Sequence, residues 1–353
     1  MALDAIAVLG LGKVGTLAAR LLHESGFTVT GVDSREGLPA QPFDVVAADV
    51  GDEGALQEVL SSVDAVLSCL PYHLNKGVAT VAHGLGIHYF DLTEDVPTTQ
   101  LIRELSATSK GLMAPQCGLA PGFVGIVGAA QAHKFEKCRS IRMRVGALPR
   151  HPTGLLGYAF NWSPEGVVNE YLNDCEVIED GERKVLSSME WVEQIYVDGV
   201  HLEAFTTSGG LGTMCETFHG VVDNLDYKTM RYPGHVQLMN FFFHELLMRE
   251  RRDLAGEILT HAKPPVSDDV VYVHVSAEGT RDGQIRREEF VRAYTPIEVA
   301  GGQWTAIAWT TSASVVSVIE MVRAGTLPDH GFLKQEEIDF DAYLATPTGQ
   351  LFT

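Results

Sequence analysis

The sequence has little of what marks a secreted, membrane-embedded or nucleic-acid-binding chain. Its five cysteines, Cys69, Cys117, Cys138, Cys175 and Cys215, are scattered, odd in number and free of any C-x-x-C pair. That spacing predicts free thiols in a reducing compartment and no cysteine zinc site. Thirteen histidines are present, yet no pair of them has ligand spacing beside an acid or thiol, so no metal is expected. No apolar run reaches the length needed to span a bilayer. No basic-then-apolar leader opens the chain, and Ala5 already begins a strand-like run; no signal peptide and a cytoplasmic location are the expectation. Positive charge is scarce: 26 Lys and Arg against 46 Asp and Glu leave a net charge of −20. A phosphate backbone would be repelled, which argues against nucleic acid as a partner, while a cationic small substrate is weakly favoured by the field. Internal repeats and low-complexity segments are absent.

What remains is a chain of 353 residues with 45% hydrophobic content, enough for two packed domains. Its organising stretch is Ala5-Ile6-Ala7-Val8-Leu9 followed at once by Gly10-Leu11-Gly12-Lys13-Val14-Gly15. The apolar run reads as a buried parallel strand, and Val14, Leu17, Ala18, Leu21 and Leu22 recur at helical spacing behind the glycines. In that context Gly10 permits the tight turn, Gly12 lets backbone approach a pyrophosphate, and Gly15 lets the helix pack on the strand. The free N–H groups and dipole of the helix start then face the phosphates. A second run, Thr28-Val29-Thr30-Gly31-Val32, ends in Asp33, where an acid would hold the ribose hydroxyls of NAD and repel the 2′-phosphate of NADP. Arg35 lies two residues on; it reads as an exposed loop arginine, with a swing toward such a phosphate as the alternative.

Strand and helix signals alternate to about residue 115, which predicts an α/β fold with a Rossmann doubly wound parallel sheet. Ligands bind such sheets beyond the carboxyl ends of the strands. Those ends place Asp49 and Val50 beside an adenine, and Cys69, Leu70, Pro71 and Thr93 along the rest of a dinucleotide. Gly118-Leu119-Ala120-Pro121-Gly122 breaks the rhythm. Beyond it the signals are of a second, mixed α+β domain: alternation at Ile141, Met143 and Val145, strands at 193–197 and 270–277, and one long helix from Gln237 to Arg251. A late helix, Thr310 to Ala324, is expected to return to the first domain. The expected organisation is 1–118 for dinucleotide binding, 119–303 for substrate and dimerisation, and 304–353 for the returning helix.

Several runs together carry a resemblance. They are the glycine turn, Cys69-Leu70-Pro71-Tyr72, Phe90-Asp91-Leu92-Thr93-Glu94, Cys117-Gly118-Leu119-Ala120-Pro121-Gly122, Trp162-Ser163-Pro164-Glu165-Gly166, Phe205-Thr206-Thr207-Ser208-Gly209-Gly210, and Asp226 to His235. In this order the chain resembles the saccharopine dehydrogenase-like family, and within it the lysine ε-dehydrogenases. The resemblance implies a homodimeric oxidoreductase that uses NAD to oxidise the ε-amine of L-lysine. The implied products are ammonia and 2-aminoadipate 6-semialdehyde, which cyclises to piperideine-6-carboxylate. One departure stands out: saccharopine-forming relatives carry an acid in the Gly-Leu-Asp-Pro-Gly loop, where this chain has Ala120.

Amine oxidation needs a proton acceptor, because free lysine is an ammonium up to a pKa of about 10.4. His73 and Glu94 at the strand ends, and His235 in the second domain, are the candidates, with Tyr72 lining the nicotinamide. His73 reads equally as a helix cap, and Tyr72 as ordinary packing. Lys228 and Arg231 are the cations available for an α-carboxylate, and Glu94 serves equally for the α-ammonium. The Thr207-Ser208-Gly209-Gly210 loop offers hydroxyl and N–H donors, or is a plain turn. Cys117 sits toward the nicotinamide end, with an inert buried thiol as the competing reading. Two other functions compete: a saccharopine-type reductase, whose pocket needs more than one arginine, and a dinucleotide-binding sensor without catalysis.

Overall fold

A computed structural model describes residues 3–353. The described chain divides into two compact units, one formed by 3–123, 300–302 and 308–353 and the other by 124–299 and 303–307.

In the first unit the expected alternation is realised as β1 (Ala5–Leu9), α1 (Lys13–Glu24), β2 (Thr28–Asp33), β3 (Asp44–Ala47), α2 (Glu53–Leu60), β4 (Ala65–Ser68), α3 (Tyr72–Leu85), β5 (His88–Asp91), α4 (Val96–Ser106) and β6 (Leu112–Ala114). The strands pair in parallel in the order β6-β5-β4-β1-β2-β3. Chain order reverses between β1 and β4, so the crevice at their carboxyl ends is the place this topology offers a ligand. The central strands are buried on both faces, which is why they read as unbroken apolar runs. The edge strand β3 is exposed throughout.

Helices start where local chemistry supplies a cap. Asp52 accepts from Ala55 N at 2.8 Å and Asp95 from Thr98 N at 2.9 Å, with Pro97 in the first turn of α4. Gly86, at φ 73°, closes α3.

The second unit opens with most of α5 (Phe123–Ala132). Then come β7 (Lys137–Pro149), α6 (Pro164–Leu172), β8 (Cys175–Glu179), β9 (Glu182–Leu186), β10 (Glu193–Val197), β11 (Val200–Thr206), α7 (Met214–Phe218), β12 (Asn224–Arg231) and α8 (His235–Asn240). They are followed by α9 (Arg252–Ala262), β13 (Asp269–Arg281) and β14 (Gln284–Tyr294). Its sheet runs β10-β11-β12-β7-β13-β14, with only the β12–β7 pair parallel on this path.

The single helix expected from Gln237 to Arg251 does not form. After α8 the chain takes a π turn, Phe241–Glu245, then places Leu247 at φ 57° and makes a 3-10 turn, Met248–Glu250. Three consecutive phenylalanines cannot all lie on one buried stripe of a 3.6-residue helix. The wider π turn turns Phe242 and Phe243 inward together, with ring centroids 5.2 Å apart, and leaves Phe241 outside.

After the short pair β15 (Ile297–Val299) and β16 (Gly302–Trp304), α10 (Ala306–Arg323) carries the chain back into the first unit. There Ser312 Oγ donates to Val14 O at 2.9 Å, and Arg323 lies 3.8 Å over the Phe27 ring. β17 (Gly331–Phe332) adds a parallel strand beside β6, and α11 (Phe340–Leu344) completes the fold.

Candidate functional site

The glycine turn is built as its sequence requires. Gly10 takes φ 86° and donates to Val32 O at 2.8 Å. A Cβ on Gly15 would lie 1.9 Å from Gly10 O and 3.1 Å from Cys69 Cβ, so turn, helix and β4 end close on one another only with glycine there. Gly12 caps α1 at φ −72°, and a Cβ on it would meet no protein atom within 4 Å. The turn therefore leaves open space at Gly12, with Lys13 and Val14 at the helix start beside it, the cradle a pyrophosphate needs.

Asp33 is the most constrained acid of the crevice. Its Oδ2 accepts from Leu11 N at 2.8 Å and from Arg35 Nη2 at 2.9 Å; its Oδ1 accepts from Arg35 N at 3.0 Å and Arg35 Nε at 2.8 Å. Arg35 beside it holds the carboxyl down at about 2. Arg35 is the exposed loop arginine expected, and it is not free: it clamps Asp33 in two-point fashion and also reaches Leu11 O at 3.1 Å.

Asp49 is exposed and spends one oxygen on Gly51 N, while Val50 packs into the core behind it. At the end of β4, Cys69 N donates to Leu9 O, Leu70 packs inward, and Pro71 starts α3. Burial pushes the Cys69 thiol up to about 12, so it stays neutral.

Tyr72 and His73 open α3 with rings edge to face at 5.9 Å; Tyr72 is half-buried and His73 exposed. At the end of β5, Asp91 is fully buried and accepts from Tyr89 OH at 2.7 Å, Thr93 N at 3.0 Å and Gln116 N at 2.9 Å. It ties the loop carrying Thr93 and Glu94 to the loop carrying Gln116 and Cys117. Burial raises its own carboxyl to about 6 despite those donors. Glu94 follows, half-buried, and burial raises its carboxyl to about 7. Cys117 is completely buried, takes a contact from Gln335 Nε2 at 3.2 Å, and its thiol is pushed far up. Gln335 was not anticipated; it comes from the C-terminal segment, and no local pattern marks it.

In the second unit the structure separates Lys228 and Arg231, the two cations expected to be available for one α-carboxylate. Both lie on β12, and three positions apart on a strand sends them to opposite faces. Lys228 Nζ donates to Trp191 O at 2.7 Å and pairs with Glu193 at 3.0 Å. Buried Arg144 meets the same Glu193 and also Asp226.

Arg231 is elsewhere, buried between two tyrosines, 4.6 Å from the Tyr158 ring centre and 5.7 Å from that of Tyr171. It donates to Tyr171 OH, Thr229 Oγ1 and Met230 O, each at 2.8 Å. His235 is also corrected. Its Nδ1 faces Leu156 O at 3.0 Å and so carries the proton, leaving Nε2 to accept from Tyr171 OH at 2.9 Å. Both nitrogens are used, the ring is 1% exposed, and burial beside Arg231 lowers its pKa to about 3. His235 is thus a fixed neutral support for Tyr171, with no free nitrogen for a substrate. Thr207 Oγ1, in contrast, is buried without a hydrogen-bond partner, and Gly209, at φ 86°, turns the loop behind it.

Arg231→Met keeps the volume but strips donors from Tyr171, Thr229 and Met230. Denaturant unfolding should show a loss of about 2–4 kcal/mol; a loss below the error of the method would show that the cage is not structural.

A glycine turn closing on a parallel sheet at its switch point, joined to a separate mixed-sheet unit, defines a dinucleotide-binding protein with a second unit of its own fold. The chain belongs to the saccharopine dehydrogenase family: residues 118–349 match the family model "Saccharopine dehydrogenase C-terminal domain", and residues 6–114 match "Saccharopine dehydrogenase NADP binding domain". It is 26% identical over 172 residues to an NADP(+), L-glutamate-forming saccharopine dehydrogenase of Schizosaccharomyces pombe, an alignment covering 47% of this chain and 36% of that protein. It is 25% identical over 258 residues to the mitochondrial alpha-aminoadipic semialdehyde synthase of Rattus norvegicus, covering 67% and 28% respectively. The chain thus matches less than half the length of either relative.

The fold is shared with the apo L-Glu-forming saccharopine dehydrogenase of Saccharomyces cerevisiae, at a TM-score of 0.73 and 18% identity over 97% of this chain and 96% of that one. It is shared more distantly with the DAP dehydrogenase of C. glutamicum, at 0.52 and 11% over 100% and 99%. Among the described residues no helix is long and apolar enough to cross a membrane.

Proposed function

We propose that this protein is an NAD-dependent dehydrogenase that oxidises the ε-amine of L-lysine, releasing ammonia and 2-aminoadipate 6-semialdehyde. The observation that carries this reading is the charge state of the buried cations in the second unit. Arg144 and Lys228 are neutralised by Glu193 and Asp226, whereas the hydrogen-bond acceptors of Arg231 are all neutral oxygens. A guanidinium that hydrogen-bonds to no carboxylate, although the charge of buried Glu170 acts on it, suits a substrate with one carboxylate, such as lysine. Saccharopine brings three. Thr207 Oγ1, buried and without a partner, supplies a further donor of the right kind.

Glu94 is the proton acceptor in this reading. A carboxyl held near 7 is ionised often enough at neutral pH to take a proton, and is not so weak a base that transfer stalls. Asp91 is the positioning residue that fixes the Glu94 loop, and Tyr72 stands at the neighbouring strand end. The nicotinamide, when bound, supplies the hydride acceptor. The residues of the glycine turn and Asp33 fit that group, through the open cradle at Gly12 and the ribose-facing acid.

Cofactor choice turns on Arg35. NAD binding through Asp33 requires Arg35 to leave at least one carboxylate oxygen; a 2′-phosphate would engage the same guanidinium. Arg35→Ala should therefore tighten NAD and weaken NADP, moving the ratio of their dissociation constants at least tenfold toward NAD in a fluorescence titration. An unchanged ratio would remove Arg35 from cofactor selection.

The deciding assay follows NAD and NADP reduction with L-lysine, L-ornithine and cadaverine while ammonia is quantified. Lysine turnover with one ammonia per reduced cofactor supports the proposal. The relatives' names favour a second reading, saccharopine-type chemistry with NADP. That reading gains if amines are inert while NADPH is oxidised only when an aldehyde and glutamate are supplied together.

A further inference from the structure

The second unit holds a cavity of about 440 Å³ that the residues above do not explain. Two carboxylates, Asp174 and Glu190, line it together with two guanidiniums, Arg249 and Arg252, and with His244 and Asn240. Opposite charges sharing a cavity ordinarily pair. Among the described residues, no carboxylate–guanidinium pair forms between these four. Arg252 is instead held by neutral amide oxygens, Asn169 Oδ1 at 2.9 Å and Asn173 Oδ1 at 2.8 Å, and Arg249 contacts His244 Nδ1 at 3.1 Å.

Unusual backbone borders the cavity. Met189 on the wall sits at φ 60°, and Leu247, just ahead of the turn bearing Arg249, at φ 57°. His244 belongs to the π turn. Such conformations persist where the surrounding structure holds them, and they gather at ligand sites.

All four charged side chains are exposed; a simple cation would engage the carboxylates alone, and a simple anion the guanidiniums alone. A molecule with an ammonium and a carboxylate satisfies both and brings no net charge into a cavity whose own carboxylates and guanidiniums balance. We propose that this cavity binds a free α-amino acid in its zwitterionic form, its ammonium toward Asp174 and Glu190 and its carboxylate toward Arg249 and Arg252. Tyr171 is the one residue the cavity wall shares with the Arg231 cage, and its hydroxyl is engaged by Arg231 and His235. The site is thus distinct from the Arg231 cage, and the inference does not depend on the dehydrogenase reading.

Isothermal titration of the full chain with L-lysine, L-glutamate and L-norleucine tests it, with n-butylamine and butyrate as single-charge controls. At least one amino acid should bind and the controls should not. Glu190→Gln and Arg249→Gln should each weaken that binding tenfold or more, with thermal melts unchanged because both side chains are exposed. Glu94→Gln should leave it intact even if turnover is abolished, which separates this site from the catalytic proposal. Three results would each overturn the inference: no amino acid binding, controls that bind equally well, or cavity variants that titrate like wild type.

Discussion

Glu94→Gln should lower kcat for lysine oxidation by a factor of about 10²–10⁴, the usual contribution of a positioned general base. Glutamine keeps the shape and the polar contacts but cannot take the proton from the ammonium. In the wild type the rate should climb with pH through about 7, as the Glu94 carboxyl ionises. In the variant that limb of the kcat/KM profile should vanish.

Stability supplies an independent readout. Burial raises the folded-state pKa of Glu94 above its value in the unfolded chain. Its contribution is therefore fully present below the unfolded pKa and is lost as pH rises through about 7, where a charge must form in a half-buried place. Relative to Glu94→Gln, the wild type should lose melting temperature between pH 5 and pH 8. A variant that keeps wild-type turnover and an unchanged profile would exclude Glu94 as the base. An unchanged difference in melting temperature would mean that the carboxyl titrates normally.

Gly12→Ala should cost about 10²-fold in dinucleotide affinity, some 2.7 kcal/mol at 1.36 kcal/mol per tenfold, with little change in stability. The reason lies in where the new methyl would go. At φ −72° alanine is unstrained, and no protein atom lies within 4 Å of the added Cβ, so the fold has no objection. The space it would fill is the space through which a pyrophosphate reaches the N–H groups of α1.

Gly15→Ala is the contrast. Its Cβ would collide with Gly10 O at 1.9 Å, so that variant should lose stability as well as binding. Measuring both dissociation constants and both melting curves separates the effects. Should Gly12→Ala bind the dinucleotide like wild type, the pyrophosphate does not lie over this turn.

The first unit was legible because its determinants are local. A strand buried on both faces must be apolar throughout, a tight turn must carry glycine, and a helix start must carry a cap. Such demands leave their mark within a few residues: β1, Ala5–Leu9, and β2, Thr28–Asp33, coincide with the runs that read as strands.

The second unit was less legible. Lys228 and Arg231 were both candidates for one α-carboxylate, but the segment is a strand, and period two sends them to opposite faces. The apolar stretch through Phe241–Phe243 implied one helix because periodicity does not reveal where a π turn seats two adjacent rings in one core.

Chemistry divides along the same line. The identities of Asp33, Glu94 and the glycines follow from residue type and order along the chain. Their properties do not. That Arg35 saturates Asp33, that Asp91 joins two loops, that Glu94 is raised to about 7, and that His235 is spent on Tyr171 all depend on which groups are brought near and how much water is removed. Burial and partner geometry are set by contacts between residues far apart in the chain, so only the tertiary structure decides them.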